Sequence, residues 1–314
     1  MKDTSTMESL ATSRLVAFGI CTFRRPILTR TLQSLAQQDP GPGFRCCIIV
    51  ADNDDQPSAQ PVVEQAAADL PFPVHYVHAP SRNISIARNA LLEKATALGA
   101  EFLAMIDDDE IASPDWARCL LSKITGSGAD AVLGPVLALY RPEAPAWLHK
   151  ARIHDVVPVV LSDGRIHTGY TGNLILRLDS PPVRGRRFDL AFGRTGGEDD
   201  VFLSGLVRDG GRIEYAPEAI AREDVPAPRE KLSFLMRRSF RSGQTFGRIN
   251  APKSLPGRTM MAVKAAAKIV FLALSAAVMA LSPSRRNRAL MRASLHAGVC
   301  SQLFGRKILE LYNS

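Results

Sequence analysis

Phe102-Leu103-Ala104-Met105-Ile106-Asp107-Asp108-Asp109-Glu110 joins five apolar residues directly to four acids. The apolar half has the length and continuity of a strand buried on both faces. The acidic half is the unusual part. Ionised carboxylates in a row repel one another, and here they stand at the edge of a low-dielectric core, which is costly unless a cation neutralises them. If the strand geometry persists, Asp107 and Asp109 point to one side and Asp108 to the other. That would offer two hard oxygen ligands on one face, suited to Mg²⁺ or Mn²⁺ bridging to phosphate. A solvated acidic turn is the alternative, because Ser113-Pro114 opens a helix shortly afterwards.

Moving outward, the same alternation recurs. Residues 15–21 and 46–51 read as buried strands and residues 74–77 as a third, with helices over 27–38, 62–70 and 81–98. Pro26 suits the first turn of the first helix. Strand, helix, strand in succession implies right-handed crossovers and a mainly parallel α/β sheet covered on both faces. In such sheets the ligand crevice lies at the carboxyl ends of the strands. The turn at residues 22–25, the acids at residues 52–55 and the string at residues 107–109 all fall there.

Asp52 reads either as a hydrogen-bonding partner for a nucleotide base or ribose, or as an Asx turn with Asn53. Arg82-Asn83 and Arg88-Asn89 flank the start of a helix. Two guanidiniums there suit a diphosphate, while Asn83 alone suits an N-cap. Gly172-Asn173, just before Leu174-Ile175-Leu176, suggests close backbone approach to a ligand or a tight turn. Gly196-Gly197-Glu198-Asp199-Asp200 opens another helix. Acids are favoured at a helix N-terminus by the dipole. A carboxylate beside a mobile glycine hinge is also placed to act as a general base, and Asp199 is the candidate.

Composition removes several classes. With 46% hydrophobic residues the chain is not disordered. Five Cys without a CxxC pair do not make a disulfide framework, and the adjacent Cys46 and Cys47 read as buried thiols. The first fifteen residues are polar, with Asp3 and Glu8, so no secretory signal is expected. The six His lack HxxxH spacing, and there is no P-loop, GxSxG or GxGxxG. The net charge of +8 is uneven: residues 1–227 hold 23 basic against 29 acidic residues, whereas residues 228–314 hold 16 against 2. An acidic body and a basic tail are expected to do different jobs.

Taken in order, these motifs resemble family 2 glycosyltransferases of the GT-A fold, especially bacterial exopolysaccharide enzymes of the succinoglycan type. The resemblance spans roughly residues 14–250. It implies an α/β nucleotide-diphospho-sugar transferase domain with a Rossmann-like mixed sheet, followed by a helical basic region over residues 251–314. It also implies that Thr22, Arg24 and Asp52 hold the nucleoside of a sugar nucleotide, a UDP-sugar above all, with Asn83, Arg88, Asp107 and Asp108 completing the donor site. Asp107 and Asp109 would carry Mg²⁺ or Mn²⁺, and Asp199, beside Glu198, would be the base of an inverting displacement. Residues 196–200 are also similar to the GGEDD run of galactosyltransferases, whose carboxylates meet the acceptor. Gly172, Asn173, Gly197, Arg238 and Arg241 would then face acceptor or diphosphate. The chain departs from the family's Q/RxxRW pattern at Ser242, where an aromatic is usual.

The implied activity is transfer of a sugar to a growing, lipid-linked bacterial surface glycan. The enzyme rival, a nucleotidyltransferase, would carry a Gly-rich loop after the first strand, and Thr22-Phe23-Arg24-Arg25 has no glycine. A non-catalytic scaffold would not need Asp107, Asp109, Glu198 and Asp199. In the tail, the uninterrupted apolar run covers residues 269–281, thirteen residues, short of the roughly twenty that span a bilayer. Pro283 is expected to end that helix, and a second amphipathic stretch covers residues 289–312. Such helices pack on the body or a twin subunit, or lie peripherally on anionic lipid at the cytoplasmic face of the inner membrane. With few aromatics among the arginines, no nucleic-acid partner is expected.

Overall fold

A computed structural model describes residues 13–309. The signal-peptide expectation, apart from its last residues, and the end of the 289–312 stretch lie outside the described residues. Two compact units are present. The first comprises the described residues up to Leu137, Asp155–Arg194 and Glu198–Glu223; the second comprises Ala138–His154, Thr195–Gly197 and the described residues from Asp224 onward. The chain thus divides at residues 223 and 224, close to the charge change at residues 227 and 228 and ahead of the 250/251 division that the resemblance implies.

The first unit is built on a seven-stranded sheet of order β3-β2-β1-β4-β8-β6-β9. Its strands β1 (Arg14–Thr22), β2 (Phe44–Asp52), β3 (Val74–His78) and β4 (Phe102–Asp107) are mutually parallel. The crossover helices are α1 (Leu28–Ala36), α2 (Gln60–Ala67) and α3 (Ile84–Ala97). All three helices begin and end within a few residues of the expected spans. Pro26, however, precedes α1, whose N-cap is Ile27. β8 (Asn173–Arg177) runs antiparallel to both β4 and β6 (Ala131–Leu133), and β9 (Ile213–Tyr215) pairs parallel with β6, so the sheet is mixed. β5 (Glu110–Ala112), β10 (Ala221–Asp224) and β7 (Val136–Leu139) form a small second sheet.

The apolar runs are continuous because the main sheet is covered on both faces. Along β1, Val16, Phe18 and Ile20 pack into one core cluster with Ile48 and Trp116, whereas Leu15 and Ala17 join the other with Ile49, Leu103 and Phe202. α4 (Trp116–Ser127) and α6 (Glu198–Arg208) are among the elements that close these faces. Register then fixes the crevice: Thr22 pairs with Asp52 across β1–β2, and Cys21 with Asp107 across β1–β4. Three polar strand ends therefore lie side by side.

The second unit holds α5 (Ala146–Ala151), a 3₁₀ turn at Ala227–Glu230, α7 (Leu232–Asn250), α8 (Leu255–Val278) and α9 (Pro283–Leu303). α7 and α9 approach closely at glycines: a Cβ on Gly243 would collide with the Leu295 carbonyl, and one on Gly298 with that of Phe240. α8 is a 24-residue helix rather than a thirteen-residue one, and it is long and apolar enough by composition to cross a membrane. Pro283 does not terminate it. It occupies the first turn of α9, where a missing N–H costs nothing.

Candidate active site

At the end of β4 the strand stops at Asp107, and residues 108 and 109 turn into β5. The expected alternation of Asp107 and Asp109 against Asp108 therefore does not carry through the string. The turn is held from two sides. Thr22 Oγ1 donates to Asp108 Oδ2 (2.7 Å), and Thr31 Oγ1 lies 3.0 Å from the Asp108 carbonyl and 2.8 Å from that of Glu110. Arg25, which the motif reading left unassigned, stands 3.9 Å from Asp108 Oδ1 and 3.6 Å from Asp109 Oδ2. Glu110 is buried, and its Oε2 accepts the Asp107 amide at 3.2 Å.

Burial dominates the titration of this cluster. It raises the Asp107 pKa against the pull of Arg88, and pushes Asp108 up to about 7 despite the Thr22 hydrogen bond. Glu110 lies well above the usual carboxylate range, again mainly through burial, with Asp107 adding repulsion. Gly172, at the edge of β8, borders the same acids. A Cβ there would lie 2.7 Å from Glu110 Oε1 and 3.0 Å from Asp107 Oδ2, so the close approach requires glycine.

A second acidic group lies at the start of α6, where Glu198, Asp199 and Asp200 occupy the first turn. Glu198 is buried; its Oε1 accepts from the buried Arg88 of α3, while its Oε2 has no hydrogen-bond partner. Asp200 is held by the Thr168 hydroxyl at 2.8 Å. Asp199 is pushed up to about 7, first by burial and then by the Glu198 charge, with Arg88 opposing both. Arg88 in turn feels Glu198, Asp199 and Asp107. One guanidinium thus links the two acidic groups, and the carboxylate it moderates titrates where a general base is most effective.

Three of the expected ligand residues are struts instead. Asp52 is fully buried: Oδ1 accepts the Asp54 amide (3.0 Å), and Oδ2 accepts the Ala59 amide (2.8 Å) and the Tyr76 hydroxyl (2.9 Å). This is the Asx-turn alternative, and it leaves that carboxylate no exposed lone pair for a base or ribose. Asn83 caps α3, accepting from the Ser85 amide at 3.1 Å and donating to the Leu190 carbonyl at 3.0 Å. Asn173 is fully buried, accepting from the Trp116 indole (2.8 Å) and donating to the carbonyls of Pro135 (2.9 Å) and Ala219 (2.7 Å). Its amide is consumed inside the sheet and does not face an acceptor.

The mouth of the crevice is basic and strained. Arg24 pairs with Asp54 at 2.8 Å and Arg82 with Asp55 at 2.7 Å, and both guanidiniums lie near the Phe23 ring. Arg24 (φ +53°) and Arg82 (φ +49°) occupy the left-handed region, which non-glycine residues adopt at a cost of order 1–3 kcal/mol. In the second unit, the Nε and Nη2 of Arg241 donate to the Thr195 carbonyl (3.1 and 2.8 Å), and Arg248 donates to the Thr195 hydroxyl (3.0 Å). Gly196 and Gly197 both have positive φ, +80° and +98°. Thr195, just before the glycine pair, is therefore held by both arginines. Arg238 is half-buried on α7.

Among the described residues, no three His, Cys, Asp or Glu gather as a protein-only metal cage. The donor set fits a different kind of site. Asp107 and Asp109 are close enough for the Asp109 charge to raise the Asp107 pKa, and both are hard oxygen donors. Two carboxylates suit an ion that keeps water and phosphate oxygens for its other positions, as Mg²⁺ does.

A family model described as glycosyl transferase family 2 matches residues 18–191. The succinoglycan biosynthesis protein ExoM of Rhizobium meliloti (strain 1021) is 46% identical over 300 residues, covering 95% of this chain and 96% of the relative. Among solved structures, mannosyltransferase PcManGT from Pyrobaculum calidifontis, in complex with GDP-Man and Mn²⁺, aligns with a TM-score of 0.62 at 18% identity, over 93% of this chain and 88% of that one. S. aureus TarS 1-349, in complex with UDP-GlcNAc, aligns with a TM-score of 0.52 at 18% identity, over 93% and 92% of the two chains. The fold is that of GT-A transferases.

Proposed function

The chain belongs to glycosyl transferase family 2, and from that premise we propose that it moves a sugar, with inversion, from a UDP-sugar to a lipid-linked acceptor in bacterial exopolysaccharide synthesis. Family membership sets the nucleotidyltransferase alternative aside. The observation that carries the reading is the pair of acidic groups joined through Arg88, one of them containing a carboxylate held near neutrality. The likeness to a named succinoglycan biosynthesis protein supports the exopolysaccharide assignment.

In this mechanism the acceptor hydroxyl oxygen attacks the anomeric carbon from the face opposite the diphosphate. The carbon–oxygen bond to the diphosphate breaks, and Asp199 takes the hydroxyl proton. Glu198 keeps Asp199 basic by its charge, while the Arg88 charge opposes that rise. Asp107 and Asp109 would hold Mg²⁺ or Mn²⁺, which supplies charge neutralisation to the leaving diphosphate when bound. Arg24 and Thr22 stand at the strand end where the nucleoside would sit. The basic, apolar C-terminal helices support a peripheral position at the cytoplasmic face of the inner membrane.

The test is isothermal titration with UDP, with and without Mn²⁺, followed by a donor-hydrolysis screen over UDP-, GDP- and dTDP-sugars. Metal-dependent UDP binding and hydrolysis of a UDP-sugar are expected. Preference for a GDP- or dTDP-sugar would overturn the donor assignment, and metal-independent binding would overturn the role of Asp107 and Asp109.

A further inference from the structure

In the second unit, α8 packs on α9 through Ala265, Leu272 and Ala276, its buried residues, and Cys300 of α9 reaches the Ala262 carbonyl. The opposite face of α8 is bare among the described residues. Val263, Val270, Phe271, Leu274 and Val278 are 60%, 59%, 68%, 64% and 87% exposed, and Leu281, just past the helix, is fully exposed. At about 100° per residue, these positions and Met260 fall within an arc of roughly 100°. The arc lies opposite the buried face. Lys264 and Lys268 run along one edge of it, both exposed.

A stripe of this length and purity needs an occupant. Charge decides which. Residues 251–303 contain eight Lys/Arg and no Asp/Glu. A second copy laid stripe to stripe would bring two cationic hairpins together without a single acid to offset them. Crossing a bilayer is disfavoured for a different reason. α9 lies along α8 and carries Arg285, Arg286, Arg288 and Arg292, so full insertion of α8 would draw those arginines toward the hydrocarbon, where guanidiniums are among the most costly groups. An apolar arc bordered by lysines on a cationic hairpin instead has the pattern of a helix lying in the headgroup–acyl boundary.

We propose that the exposed stripe of α8 is an interfacial lipid-binding face that seats the enzyme on anionic bilayer, with Phe271 and Leu274 in the acyl boundary, Lys264 and Lys268 at the headgroups, and α9 on the aqueous side. The proposal rests on the peripheral-membrane reading above and adds the face and the depth. The tail both packs within its own unit and binds membrane, through opposite sides of one helix.

The experiment is co-sedimentation of the full-length protein with vesicles of phosphatidylcholine alone or mixed equally with phosphatidylglycerol. At least tenfold tighter binding to the anionic vesicles is expected. Phe271→Glu/Leu274→Glu should lose at least tenfold in that binding while keeping UDP-sugar hydrolysis. Lys264→Glu/Lys268→Glu, a surface change that keeps the stripe, should remove most of the preference for anionic lipid. A Phe271→Trp protein should be quenched more by lipids brominated near the headgroup than near the chain end. If the Phe271/Leu274 variant folds, hydrolyses donor and still binds like wild type, the face is wrong while the peripheral reading stands. If wild type binds neither vesicle, both fall. Stronger quenching of the Phe271→Trp protein by the chain-end label, or a stripe-dependent dimer in light scattering without vesicle binding, overturns the interfacial placement.

Discussion

Replacing Arg88 with Met tests the electrostatic account of the site most directly. Arg88 is buried on α3 and is the hydrogen-bonded partner of buried Glu198, whose second oxygen already lacks one. Arg88→Met keeps much of the length of the side chain and deletes its charge. Breaking a buried ion pair from one side costs about 3–5 kcal/mol, because the remaining charge is left unpaired. For a protein of this size that corresponds to a fall in Tm of about 5–8 °C. The second consequence is on titration: Arg88 is the cation that lowers the Asp199 and Asp107 pKa values, so both should rise further without it. The acid limb of kcat/KM should therefore move to higher pH, in addition to a loss of rate. Thermal unfolding at pH 7.5 (about neutral, the range where His and these acids titrate) and a pH–rate profile give the two readouts. The double variant Arg88→Met/Glu198→Leu removes both charges, so it should recover most of the Tm but none of the activity. A single variant within about 2 °C of wild type, where a buried pair predicts several times that shift, or an unmoved acid limb, would refute the reasoning.

Asp199→Asn should lower kcat by about 10²–10⁴ with UDP affinity retained; because Asp199 titrates near 7, the wild-type rate should fall as pH drops below that value, and a level profile across it removes Asp199 as base. Carboxylates whose folded pKa is raised, as for Asp107, Asp108, Glu110 and Asp199, contribute stability at low pH that is lost as pH rises through the folded value. The metal-free protein should accordingly lose Tm as pH rises from the ordinary carboxylate range toward about 7, the value to which Asp108 and Asp199 are pushed, and Mn²⁺ should raise Tm more at neutral than at acid pH; equal metal effects at both would count against a carboxylate metal site. Asn173→Ala should behave as a structural lesion, since it strands the Trp116 indole and two buried carbonyls at about 1–3 kcal/mol each; scanning calorimetry should register the loss, and UDP affinity below the transition should be unchanged.

How far the sequence carries can be judged from single residues. The strands were legible because burial on both faces forces continuous apolar runs, and the acids at residues 107–110 and 198–200 stood out because each cluster abuts an apolar run. Asp52, Asn83 and Asn173 were not. A sequence reports which groups can donate or accept, but not whether the partners come from a ligand or from the chain. Here they come from Tyr76, Leu190 and Trp116, far away in sequence and adjacent only after the sheet forms. The length of α8 escaped for another reason. Lys264 and Lys268 interrupt the hydropathy run, yet lysine is a strong helix former, so the backbone continues through them. The role of Arg25 had no sequence signal beyond its place in the turn, because its acidic neighbours meet it only when β4 ends one residue before Asp108.

The opposed demands of fold and chemistry meet in the crevice. Four carboxylates there are raised by burial, while Arg88 and Arg25 are the cations whose charges oppose the rise at the β4 end. Such a cluster is short of positive charge, which costs stability at neutral pH. It also disfavours an incoming diphosphate, since like charges repel most strongly where water is excluded. Both deficits have the same remedy, a cation that arrives with the diphosphate or before it. The raised acids at residues 107–110 and the expected metal dependence of donor binding therefore follow from one cause. Thr22 and Thr31 hold the turn in place, and such a fixed geometry would let two carboxylates favour a diphosphate that carries a cation over one without.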